Sequence, residues 1–147
     1  MEVLIHHLDA IRFLIGPVQV VAAHTASISP EVIGEDMALI GLKAVNGAIG
    51  TITGNFSAAG FSPLPGDRLE LIREKASILF ENNELRLIGD KKESIQFNLQ
   101  QAYQQSYDNA IAHFVWALEN SEPFETDRLD NLETLRLVED AYRLAGI

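Results

Sequence analysis

The 147-residue sequence contains no cysteine. That excludes disulfides and thiolate metal centres and fits a reducing compartment, so a cytoplasmic protein is expected. Basic residues are scarce: 11 Lys and Arg stand against 21 Asp and Glu, for a formal net charge of -10. A surface of that sign repels phosphates and anionic headgroups, so neither nucleic acid nor membrane is an expected partner. No run reaches the ~20 apolar residues needed to cross a bilayer, and an early Glu2 does not suit a basic signal-peptide start. The chain also lacks the G-x-G-x-x-G and G-x-x-x-x-G-K-[ST] phosphate loops and the G-x-S-x-G elbow. It therefore offers no recognisable nucleotide site and no serine-hydrolase centre.

What is present describes a folded domain. The composition is 47% hydrophobic and 22% charged, and the length suits one domain with one sizeable core. From Glu2 to Ile15, the residues Leu4, Leu8, Ile11, Leu14 and Ile15 fall on one side at about 100° per residue, which predicts a core-facing helix stopped by Gly16-Pro17. The chain enters this pattern at once, without a polar lead-in, as expected of a piece of something longer. Val18, Val20 and Val21 open a strand. Asp36 to Val45 and Ala48 to Phe56 flank Asn46-Gly47, a favoured type I′ dipeptide, and predict a β-hairpin. Gly41, Gly50 and Gly54 within it point to bulges or to another element packed closely on the strand.

Residues 57–66, SAAGFSPLPG, read as an exposed loop. Four short segments follow, Arg68 to Arg73, Ser77 to Glu81, Glu84 to Ile88 and Ser94 to Asn98, separated by Lys75-Ala76, Asn82-Asn83 and Gly89-Asp90, as in an antiparallel meander. Two helices close the chain. One carries Tyr107, Ala110, Ile111, Phe114, Val115 and Leu118, and ends before Pro123; the other starts from a capping-box pattern at Asp130 and Glu133 and carries Leu135, Val138, Ala141 and Tyr142. The order predicts an α+β fold with a mostly antiparallel open sheet and helices on one face. Ile40, Leu42, Ile49 and Ile52 give the hairpin more apolar surface than three helices would cover, so a homo-oligomer through the other sheet face is expected.

Chemistry is concentrated on the first helix. Glu2, His6 and Asp9 lie within about 60° of one another, opposite the apolar stripe. A carboxylate beside an imidazole is the pairing of a general acid/base, although a solvated polar face gives the same pattern. His7 points about 100° away from His6 and reads as a packed or boundary residue. His24 falls on a strand and His113 on a polar helix face, neither with a visible partner. Adjacent histidines diverge on a helix, so Glu2, His6 and His7 do not make a zinc pattern, and no metal is expected.

The run LIHHLDAIRFLIGPV resembles the start of the C-terminal domain of the Gfo/Idh/MocA oxidoreductases (glucose-fructose oxidoreductase, inositol dehydrogenase, rhizopine catabolism). EDMALIGLKAVNGAIGTITGNFSA resembles that family's central hairpin, DRLELIREKASILFENNELRL its next strands, and HFVWALENSEPFETDRLDNLETLRLVEDAYRLA its closing helices. The resemblance covers nearly the whole chain. It implies the sheet domain of glyceraldehyde-3-phosphate-dehydrogenase-like oxidoreductases, which shapes the substrate pocket and often the oligomer interface, next to an N-terminal Rossmann domain that binds NAD or NADP and is absent here. Sugars, inositols and related polyols are the implied substrates.

Family members place an Asp-x-x-x-His pattern at this point, beside the substrate hydroxyl. His6 occupies the histidine position, and Glu2 stands where aspartate is usual, keeping the charge while adding a methylene. The resemblance thus implies catalytic roles for His6 and Glu2, with Asp9 toward the substrate. Leu4 replaces a glycine common in the family. The family's catalytic lysine, from a Glu-Lys-Pro motif, belongs to the other domain; Glu74-Lys75 is followed by Ala76 and is not that motif. The chain alone is expected to bind no cofactor and to be inactive. The alternative is a non-catalytic oligomerisation or interaction module of the same fold.

Overall fold

In the computed structural model, residues 3–61 and 66–147 are described. Glu2 and the Ser62 to Pro65 stretch of the predicted loop lie outside them. Three helices and seven strands follow in the order α1 (Leu4–Ile15), β1 (Val18–Ala26), β2 (Met37–Ala44), β3 (Ile49–Asn55), β4 (Leu69–Ile72), β5 (Ala76–Glu81), β6 (Glu84–Gly89), β7 (Glu93–Gln96), α2 (Leu99–Asn120) and α3 (Arg128–Ala145). The fold is α+β, and every strand pairing is antiparallel. The strands form two ladders, β1-β2-β3 and β4-β5-β6-β7. The chain divides into two compact units, residues 1–59 with 125–147, and 60–124. No described helix is long and apolar enough to cross a membrane.

The first unit holds the apolar core. Alternate residues of β2, Ala38, Ile40, Leu42 and Ala44, are buried with Ile52 of β3, Leu4 and Leu8 of α1, and Leu137, Val138 and Ala141 of α3. Both helices therefore cover one face of the three-stranded sheet. This reduces the surplus expected of the hairpin: Ile40, Leu42 and Ile52 face the helices, while Ile49, 83% exposed, and Leu39 lie on the outer side. Two helix stripes shift as well. Leu14 and Leu135 are exposed, and α3 buries Thr134 and Leu137 instead. Helix α3 also begins earlier than its predicted capping box, because Asp127 accepts hydrogen bonds from the amides of Leu129 and Asp130. Glu133 pairs with Arg136 rather than closing a box.

The hairpin turn is not type I′. Only Gly47 takes a positive φ; its amide donates to the Ala44 carbonyl, and the amide of Ala48 donates to Asn46 Oδ1. That is the three-residue turn in which glycine supplies the left-handed step. The two-residue turn with both φ positive is Asn82-Asn83, joining β5 to β6 (φ 53° and 60°). The three strand glycines differ. Gly41 lies against Ala22 beside the bulge that leaves Val21 without a pairing partner, Gly54 lies against Leu4, and Gly50 has open space around it.

In the second unit β4 to β7 make the predicted meander. Asn98 caps α2 by accepting from the Gln101 amide. Nearly every α2 residue is exposed, and only Ala117 is buried. His113 is not isolated as expected: its ring stacks near Trp116 and meets Phe124 edge-on.

Candidate functional site

Helix α1 carries the candidate site, and the sequence fixes it at both ends. Leu4 and Leu8 are buried under its first two turns, with Ile11 and Ile15 packed against the same cluster. Its last turn ends at Gly16, whose amide donates to the Arg12 carbonyl and whose φ of 89° suits glycine. Val3 at the N-cap offers no side-chain acceptor. His6 is exposed on the face away from the core, and His7 is half-buried, as its place beside the stripe predicts. The structure does not describe Glu2, so the Glu2-His6 pairing lies outside the described residues.

Asp9 turns toward α3 rather than along α1. Its Oδ1 accepts from Thr134 Oγ1 at 2.8 Å and lies 3.5 Å from Arg12 Nη1. Arg12 Nη1 also donates to Thr134 Oγ1 (2.5 Å) and to the Asp130 carbonyl (3.1 Å), and Nη2 donates to Asp130 Oδ1 at 2.7 Å. The guanidinium thus ties the C-terminal half of α1 to the first turns of α3. Thr134, 3% exposed, is the buried centre of this network. Nothing local announces it, since Arg12 and Asp130 are 118 residues apart.

A second polar centre lies at the exit of β1. Asp36 is 1% exposed. Its carboxylate accepts from Ser57 Oγ (2.5 Å), the Ser29 amide (2.7 Å) and the Ile28 amide (2.8 Å). The Ser57 hydroxyl first, then the two amides, hold its pKa below the ordinary value. Asp36 closes the loop between β1 and β2 onto the residues after β3. The sequence cue was the Ser-rich segment facing a lone aspartate at a strand start, a pattern of side-chain to backbone bonding. Nearby, Tyr142 Oη donates to Glu35 Oε1 at 2.6 Å. A cleft of about 370 Å3 opens here, lined by Val3, Leu4, Ile33, Glu35, Met37, Phe56 and Tyr142. It adjoins the α1 turn that carries His6.

These residues do not fit a dinucleotide. In a Rossmann site a parallel β-loop-α unit receives the pyrophosphate on its amides, whereas every pairing among the described strands is antiparallel. Among the described residues no three His, Asp or Glu side chains gather as metal ligands would.

Comparison with known proteins gives the geometry its setting. The D-apiose dehydrogenase of Rhizobium rhizogenes is 28% identical over 154 aligned positions, which span 97% of this chain and 45% of that enzyme. An oxidoreductase from Agrobacterium radiobacter, solved with NAD+, L-tartaric acid and magnesium, superposes with a TM-score of 0.86 at 27% identity, over 97% of this chain and 45% of that one. Levoglucosan dehydrogenase, solved with NADH and levoglucosan, shares the fold with a TM-score of 0.86 at 16% identity, over 99% and 47% of the two chains. This chain thus spans a little under half the length of the relatives it matches. Residues 1–79 match the GFO/IDH/MocA C-terminal domain, and the chain belongs to that oxidoreductase family.

Proposed function

We propose that this chain is the substrate-side domain of an NAD(P)-dependent dehydrogenase that oxidises a hydroxyl of a sugar, inositol or related polyol. One observation carries the reading: 97% of the chain aligns with a D-apiose dehydrogenase. His6 acts as the general base that takes the hydroxyl proton, and Glu2, four residues earlier in the sequence, is the carboxylate proposed to partner its imidazole. Asp9, with Oδ1 engaged by Thr134 and its side chain 47% exposed, keeps surface for a second substrate hydroxyl. NAD or NADP belongs to a Rossmann domain outside this chain, which accounts for the poor fit of these residues to a dinucleotide. Its nicotinamide supplies the hydride chemistry.

In the two-domain enzyme, His6→Ala lowers kcat by about 10²–10⁴-fold and leaves the thermal midpoint close to that of the parent. His7→Ala, at a half-buried position, does the reverse. Near-normal turnover in His6→Ala would remove the catalytic role and leave the family relation as one of fold alone.

The same reading includes a homo-oligomer through the outer face of the three-stranded sheet, where Val21, Leu39 and Ile49 are exposed beside the Thr51 and Thr53 positions. A strictly monomeric species in light scattering at high concentration would remove that part. The net charge of -10 supports neither nucleic acid nor anionic membrane as a partner.

A further inference from the structure

Helix α1 has two anchors of different kinds. Toward its C-terminal end Arg12 is held by Asp130 and Thr134. At its first turn the anchor is steric. Leu4, 3% exposed, sits on Gly54 of β3 so closely that a Cβ there would lie 2.8 Å from Leu4 Cδ2, 3.1 Å from Cδ1 and 3.2 Å from Cγ. Rotating the two methyl groups leaves the Cγ contact in place, so the Leu4 side chain must give by a few tenths of an ångström. The strand beside it is also small at this level, Ala38 pairing with Gly54, whereas Ile40 pairs with Ile52 one step along the same face. The sheet floor is therefore lower at the Ala38-Gly54 level, where Leu4 sits, than at the Ile40-Ile52 level.

Resting on the catalytic reading of His6 above, we infer that Gly54 is a positioning residue: its missing side chain sets the depth of Leu4 and, with it, the placement of His6 two residues on. With Arg12 fixing the other end, a carbon atom at position 54 acts as a wedge under one end of a pinned rod. It tilts the first turn outward and carries the imidazole with it. Gly54 is not among the residues with positive φ, so alanine is conformationally acceptable there and the substitution tests space alone.

The test pairs turnover in the two-domain enzyme with the histidine imidazole 15N and 1H resonances of this chain. Gly54→Ala lowers kcat by about 3–10-fold, since a shift of a few tenths of an ångström is smaller than the roughly 1 Å that costs about 100-fold, leaves KM nearly unchanged and moves the His6 resonances. Adding Leu4→Val removes both δ carbons, which make the two nearest contacts, and moves a net one carbon from helix to strand at nearly constant volume; this double variant recovers most of the kcat and the parental resonances. Gly50→Ala, on the same strand with nothing within 4 Å, matches the parent in both readouts. Parental turnover and resonances in Gly54→Ala overturn the inference, and so does a folded double variant no better than the single one. If Gly54→Ala does not fold, the double variant decides alone. Failure of the catalytic reading is seen separately, as undiminished turnover in His6→Ala.

Discussion

The two units spend their apolar residues differently. In the first, α1, α3 and the β1-β2-β3 sheet bury Leu8, Ile40 and Ala141 completely, and one arginine bridges the helices. In the second, α2 runs for 22 residues and leaves Tyr107, Ile111, Phe114, Trp116 and Leu118 each more than half exposed. Both helical regions are amphipathic in sequence. Periodicity identifies which face is apolar, but only tertiary contacts show whether anything covers it. The proposed catalytic histidine belongs to the covered region, where packing on the far side of the helix can hold a side chain in place.

The largest effect that tests this contrast comes from two substitutions, one in each unit. Leu8→Ala removes a side chain with no exposed surface and should cost about 2–5 kcal/mol. Ile111→Gln, at a site 62% exposed, should change stability by no more than about 0.5 kcal/mol. Chemical denaturation of the isolated chain, with amide hydrogen exchange to assign each loss to its unit, measures both. A cost above about 1 kcal/mol for Ile111→Gln would mean that α2 is packed in solution and would dissolve the contrast.

Legibility followed the range of the interactions. Helix α1, the seven strands and both closing helices were readable because periodicity and turn residues act over a few positions. His6 and Asp9 were visible as one helix face for the same reason. The partner of Asp9 was not, since Thr134 lies 125 residues away, and neighbouring residues contain no trace of it. Turn chemistry misled where two local options competed: Asn46-Gly47 suits a two-residue turn, but the chain takes a three-residue one in which only Gly47 needs positive φ. Gly54 was readable as a place of close approach, though not that Leu4 would be the visitor. Asp36 was the centre most open to earlier detection, given the serines around it.

The smallest expected effects are in the pH response, and the two units should answer at opposite ends of the scale. Asp36 has a lowered pKa in the folded chain, so its contribution to stability is present above the ordinary carboxylate range and is lost as pH falls through and below about 4. Asp36→Asn should be less stable at neutral pH, yet lose less on acidification, because the group that gains a proton is gone. Tyr107 is shifted the other way, its pKa raised by the hydrogen bond with Tyr103, the two hydroxyls lying 3.0 Å apart. That contribution is present below about 10, the ordinary tyrosine value, and is lost as pH rises through the folded value. It should be the weaker of the two, since both rings are largely exposed. Circular dichroism across an acid titration reads the first, and the 295 nm absorbance of an alkaline titration reads the second, with Tyr103→Phe as the comparison. An unchanged acid profile in Asp36→Asn would mean that the Ser57, Ser29 and Ile28 hydrogen bonds do not favour the charged carboxylate in solution.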